Sequence, residues 1–232
     1  MKSHSTHQAP NSLYSLLHTH RWFFVPFLLF LATTAILLAI YPTGHWVLYF
    51  SERRSPFWDQ FFMIGTRFGE EWAFIGVLLI SLLWINYRHS LSIPILGIVV
   101  TSVSALTKKA YHHPRPLRYF REQGLEEQLN LVSGFHVNSG MTSFPSGHTM
   151  AAFALFTFFA LNARHKKFVG LGLFLLALMV GISRIYLTQH FLKDIFWGSV
   201  LGLVLGILLH YAQAWLGKKA WLERRIIKKK RA

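Results

Sequence analysis

Between Trp22 and Tyr41 the chain carries no charged residue, a span close to the roughly 20 residues that a helix needs to cross the hydrocarbon core of a bilayer. Further apolar runs extend from Trp72 to Tyr87, Leu91 to Leu106, His148 to Ala163, Val169 to Ser183 and Ile195 to Leu216. Several are short, and their flanking Trp, Tyr, Lys and Arg complete the crossing by sitting at the interface. The pattern predicts six transmembrane helices, an all-α polytopic membrane bundle. A hydrophobic content of 53% and a positive mean hydropathy argue in the same direction, against an ordinary soluble domain.

This reading divides the chain into a polar N-terminal segment (1–20), a six-helix membrane domain (21–216) and a basic tail (217–232). Lys2 and Arg21 precede the first run as they would in a secretory signal. That run is longer than a signal core and no small-residue cleavage site follows, so an uncleaved first helix is expected. Two connections have an amphipathic period. Phe57, Phe61 and Ile64 recur at i, i+4 and i+7 with Asp59 and Arg67 nearby, and Leu125, Leu129 and Val132 repeat the pattern beside Glu122, Glu126 and Glu127. Both fit interfacial helices on the external side and fit packed loop helices equally well. In the tail Trp215, Trp221, Ile226 and Ile227 alternate with Lys and Arg, which suits either an anionic inner leaflet or a solvated end.

The net charge of +15 invites a nucleic-acid reading, but its distribution opposes one. With six alternating crossings, one side receives the N-terminus, Arg88, the Arg164 to Lys167 loop and the tail. That side holds 14 of the 24 Lys and Arg but, in Glu223, only one of the nine acids. By the positive-inside rule it is cytoplasmic, and both termini lie there. With no Cys there is no disulfide, thiolate nucleophile or cysteine metal site.

Three strings then fall together on the external side: Lys108 with Arg115-Pro116, Pro145-Ser146-Gly147-His148, and Ser183-Arg184 with His190 and Asp194. Lys108, Arg115 and Arg184 are cations at the edges of apolar helices, where an unpaired charge is costly and nearby acids are few. An anion is the natural partner, and Arg grips phosphate oxygens in bidentate fashion. Ser146 can cap the helix that begins at Gly147, and Gly147 lets backbone N–H groups approach a ligand. His148, at the mouth of an apolar run, suits a general acid. His190 and Asp194 stand at i, i+4, so the carboxylate can fix the imidazole tautomer and leave the other nitrogen free to attack phosphorus. Alone, such a pair is as readily a structural hydrogen bond; its conjunction with the other strings favours catalysis. Lys109, Arg118 and Arg121 read as surface or topological charge. His112 and His113 are adjacent and point apart, and too few acids accompany the site for a metal cluster, so neither a metal nor another cofactor is expected.

These three strings match residue for residue the signature of the type 2 phosphatidic acid phosphatase superfamily, which the chain resembles over most of its length. The resemblance implies metal-independent phosphoester hydrolysis in a helical bundle. It implies His190 as nucleophile forming a phosphohistidine, Asp194 orienting it and His148 as general acid. Lys108, Arg115, Ser146, Gly147 and Arg184 would bind phosphate. The substrate class follows from the setting: a site at the outer membrane boundary takes a lipid head group while its tails stay in the bilayer. Undecaprenyl diphosphate, phosphatidylglycerophosphate, phosphatidic acid and lipid A phosphates all qualify, the first slightly favoured for a bacterial envelope. A phosphotransferase and a non-enzymatic lipid-phosphate binder are the rival classes.

Overall fold

The structure, a computed structural model, describes residues 13–163, 165–215, 220–223 and 226. Among them there is no β-strand; ten α-helices follow one another with short 3-10 and π turns. The long apolar elements are α2 (Arg21–Ile40), α6 (Tyr87–Tyr111), α8 (Gly147–Asn162), α9 (Lys166–Tyr186) and α10 (Leu192–Trp215). Four stretches of the described residues, those of α2, α6, α9 and α10, are long and apolar enough to cross a membrane. A fifth arises if α4 (Pro56–Thr66) and α5 (Glu71–Ile80), bent by 64° about their junction, act as one broken span. This is an integral membrane protein, with outward-facing Leu29, Ile36, Ile98 and Leu208 exposed as lipid-facing positions would be.

At 16 residues α8 is short, and it is the centre of the bundle. Met150, Phe153, Leu155 and Phe158 are fully buried, enclosed by α2, α6, α9 and α10. Its closest neighbour, α10, approaches through Gly198, Gly202 and Gly206, four residues apart on one face. A Cβ at Gly198 would stand 2.8 Å from the Ser146 carbonyl, and one at Gly206 would stand 2.6 Å from that of Ala154. Small residues at this spacing let two backbones touch, which suits association in lipid, where helices gain little from apolar burial alone. The first turn of α10 is therefore pressed against the first turn of α8.

Expectations for the connecting regions meet a more varied outcome. The segment 1–20 contains a helix, α1 (Leu13–Thr19), whose Leu16 is fully buried in the main core cluster. The Phe57 to Ile64 pattern is helical: α4 starts at Ser55, which caps it, with Pro56 preset for the first turn. The Leu125 to Val132 pattern is not. Only a 3-10 turn, Glu126–Gln128, forms there, with Leu129 and Val132 tucked inward. The backbone of Asn130 explains the difference. Its N–H donates to Ser51 Oγ and its carbonyl accepts from Arg54 Nε, so neither group is free for a helical ladder. Most of the basic tail, Ile227 included, lies outside the described residues.

Candidate active site

All eight residues singled out by sequence meet at one end of the bundle, each at a helix boundary. Lys108 lies in the last turn of α6, Arg115 just before α7 (Pro116–Glu122), and Arg184 in the last turn of α9. Ser146 is the N-cap of α8, followed by Gly147 and His148; its Oγ accepts from Thr149 N–H at 3.4 Å. The Ser146 N–H donates to the Asp194 carbonyl (3.1 Å), joining the starts of α8 and α10. Gly147 leaves the approach of α6 open: a Cβ there would sit 3.0 Å from Ser104 Oγ and 3.4 Å from Lys108 Nζ and would push both side chains aside. The opposite end is tied separately, where Arg88 donates to the Gln213 carbonyl (3.1 Å) and Gln213 Nε2 donates to Asn162 Oδ1 (2.7 Å).

His190 is held by the turn between α9 and α10. The N–H groups of Gln189 and His190 both donate to the Arg184 carbonyl (2.9 and 3.1 Å), and Thr188 adopts a left-handed conformation with φ +58°. The imidazole is 1% exposed. Its burial, reinforced by the charges of Arg115, Arg184 and Lys108, holds it well below the ordinary imidazole range, so it is unprotonated at neutral pH. His190 precedes α10 rather than belonging to it, and its Nδ1 lies 3.5 Å from Asp194 Oδ2. This exceeds a normal N–H···O separation of about 2.7–3.2 Å. Oδ2 is already engaged by Ser143 Oγ (2.5 Å) and by the Phe191 N–H (2.8 Å).

The cations are positioned by neutral groups. Arg115 Nη1 donates to the carbonyl and Oε1 of Gln189 (3.2 and 2.8 Å), while Arg184 Nη1 donates to Thr66 Oγ1 (2.6 Å). Arg115 and Arg184 are buried, and none of Lys108, Arg115 and Arg184 forms an ion pair with a carboxylate among the described residues. Three positive charges held without acidic partners are an arrangement that can hold an oxyanion. The cations that read as surface or topological charge behave differently. Arg118 pairs with Glu122 (2.6 Å) and Arg121 with Glu126 (2.8 Å) on the surface, and Lys109 is exposed. Among the described residues no group of three or more His, Asp or Glu is arranged to hold a metal ion.

Four contributors lie outside the three strings: Thr66 and Glu70 from the α4–α5 junction, Gln189, and Ser143. Ser143 and Gln189 stand within a few residues of Ser146 and His190, which is their only signal in the sequence. Ser143 is fully buried and anchored by its N–H to the His113 carbonyl (3.0 Å). Ser143→Ala is expected to lower kcat roughly tenfold, because about 1.5 kcal/mol of charge-assisted hydrogen bonding to Asp194 is lost. Steady-state kinetics at equal folded yield check this; an unchanged kcat would show that the Phe191 N–H alone holds the carboxylate.

Fold and site together define a helical membrane protein with a cationic, histidine-containing cluster at one end of its bundle. The PAP2 superfamily model matches residues 88–218, and the chain belongs to that superfamily. It is 38% identical over 81 residues to phosphatidylglycerophosphatase B of Bacillus subtilis (strain 168), covering 32% of this chain and 40% of that protein. It is 28% identical over 144 residues to undecaprenyl-diphosphatase BcrC of the same organism, covering 60% and 68%. The match to lipid phosphate phosphatase 1 of Arabidopsis thaliana is 32% over 138 residues, covering 50% and 42%. Thus the chain spans less than half the length of the first and third of these relatives. Among solved structures, Aquifex aeolicus LpxE superposes with a TM-score of 0.61 at 25% identity, over 74% of this chain and 97% of that one. A PAP2 type phosphatidylglycerolphosphate phosphatase from Bacillus subtilis superposes with a TM-score of 0.55 at 23% identity, over 85% and 98%, and shares the fold.

Proposed function

We propose that this protein is a membrane-embedded lipid phosphatase that works through a phosphohistidine, without a metal ion. The observation that carries the reading is the buried, unprotonated His190 surrounded by three cations that lack carboxylate partners. Lys108, Arg115 and Arg184, with the Ser146 hydroxyl and the Gly147 N–H, hold the phosphoryl oxygens. The His190 lone pair forms a P–N bond as the P–O bond to the lipid breaks, and the leaving oxygen takes a proton from His148. Water then attacks phosphorus, gives its proton back to His148, and the P–N electron pair returns to His190. Asp194 orients the imidazole and balances its charge in the intermediate. Names of relatives supply the substrate panel: undecaprenyl diphosphate first, because the BcrC alignment covers the largest share of this chain among the three relatives compared, then phosphatidylglycerophosphate, phosphatidic acid and a lipid A phosphate.

The test is phosphate release from that panel by purified protein in detergent with a chelator present. Inorganic phosphate is expected as the main product, with vanadate inhibiting as a mimic of five-coordinate phosphorus. Chelator-sensitive turnover restored by a divalent ion would remove the metal-free mechanism, and transfer of phosphate to a second lipid would make the protein a phosphotransferase. Binding without turnover would leave only a lipid-phosphate binder.

The domain 21–216 is read as six crossings, with the bent α4–α5 pair as the second and the short α8 as the fourth. The site then opens to the exterior or periplasm and both termini are cytoplasmic, an orientation supported by the charge asymmetry. Since the chain has no Cys, Ser139→Cys and Ala163→Cys can be introduced singly without background. A membrane-impermeant thiol reagent applied to intact cells or spheroplasts is expected to label the first variant and spare the second; the reverse pattern would invert the topology.

A further inference from the structure

An anion-binding site gains nothing from a carboxylate at its edge, yet Glu70 stands there. Its Oε1 lies 3.9 Å from His148 Nε2, with both side chains about one-third exposed. The placement is built into the backbone. Gly69 is pressed so closely on the first turn of α8 that a Cβ would meet the His148 carbonyl at 2.8 Å, His148 Cβ at 3.1 Å and Val180 Cγ1 at 2.7 Å. The chain leaves this contact extended at Glu70, which opens α5, and the next carboxylate, Glu71, begins that helix. The elbow between α4 and α5 is thus fixed against His148, with Glu70 facing the ring.

We infer that Glu70 is a positioning residue for His148, holding its imidazolium ready to protonate the leaving oxygen as Asp194 serves His190. The inference rests on the assignment of His148 as general acid. The charged groups that face His148 are Glu70, Arg184 and Lys108, and those that face Glu70 are His148, Arg184 and Arg67. Two of the three neighbours of His148 are therefore cations fixed in place for phosphate. Glu70 supplies the countercharge that favours the protonated ring against burial and these two cations. The positive charge of an imidazolium is shared by both nitrogens, so a carboxylate facing Nε2 stabilises it whichever nitrogen donates. In the first step the P–O bond breaks with its electron pair on the leaving oxygen, which takes the His148 proton. In the second step a proton from the attacking water restores the imidazolium. Glu70 remains a carboxylate throughout.

General-acid assistance matters for a poor leaving group and little for a good one, which gives a direct test. Two lipid phosphates with the same tail are compared, one an alkyl ester and one an aryl ester. Glu70→Gln is expected to lower kcat for the alkyl ester roughly tenfold or more, while the aryl ester stays within about twofold of wild type. KM should be unchanged or lower, since a negative charge has left an anion site, and Glu70→Asp should recover part of the lost kcat. An equal fall for both esters, or no fall for either, overturns the inference. A wild-type protein that releases phosphate from neither ester removes the phosphatase reading itself, an outcome distinct from the first two.

Discussion

His190→Ala is expected to reduce phosphate release by roughly 10⁴-fold or more, to the background of the assay, because it removes the nitrogen proposed to take the phosphoryl group. His148→Ala should cost about 10²–10⁴-fold for an alkyl phosphate, the usual range for a general acid. Neither residue belongs to the hydrophobic core clusters, and the three cations remain. Both variants should therefore purify as folded protein and still be stabilised against heat by vanadate. Chemical quenching with radiolabelled lipid should trap an acid-labile, base-stable phosphoenzyme in wild type and none in His190→Ala. The pH profile follows from the depressed basicity of His190. The nucleophile is lost only when the ring protonates, so the acid limb of kcat/KM should lie below the ordinary imidazole value of about 6.5. Activity at equal expression in His190→Ala, or an acid limb above that value, would sink the mechanism.

The second large effect concerns Arg184. Arg184 is 5% exposed, its guanidinium donates to the neutral Thr66 among the described residues, and Arg115 adds like charge nearby. Without ligand this cation is held against the cost of burial; a phosphate bound as proposed would accept from it. Arg184→Met keeps most of the side-chain volume and removes the charge. Turnover should fall about 10²–10³-fold, or roughly 3–4 kcal/mol of transition-state stabilisation. The ligand-free variant should nevertheless melt no lower than wild type and should lose most of the thermal shift produced by vanadate. Thermal denaturation with and without vanadate, alongside kinetics, separates the outcomes. A variant that is less stable without ligand yet still shifted by vanadate would make Arg184 a structural residue.

The candidate site was legible because its residues sit at the ends of apolar runs. A Lys, Arg or His beside twenty uncharged residues is conspicuous in any chain that must meet lipid, and Lys108, His148, Arg184 and His190 are visible on that ground alone. The apolar runs themselves gave the all-helical class and the approximate position of every long helix, since a backbone in hydrocarbon must satisfy its own hydrogen bonds. The alternation of those helices placed the three strings at one end, where Lys108, Ser146, Gly147 and Asp194 are found together.

What the sequence could not assign depends on which backbones touch. The Phe57 to Ile64 period is the same for a helix lying on lipid and for one half of a bent pair, and it says nothing of the elbow that brings Thr66 to Arg184 and Glu70 to His148. Leu125 to Val132 has the same period and forms a loop, because Ser51 and Arg54 claim the backbone of Asn130. The i, i+4 spacing of His190 and Asp194 suggested a helical pair, whereas the turn places His190 ahead of α10 and Ser143 occupies the carboxylate oxygen between them. The elbow contacts, the bonds to Asn130 and the Ser143–Asp194 bond join residues distant in the chain, and helices come closest at Gly69 and along Gly198, Gly202 and Gly206. Hydrophobic period and residue type are local properties and fix the elements and their reactive ends; the close approach of one helix to another selects which neutral and acidic neighbours those ends acquire.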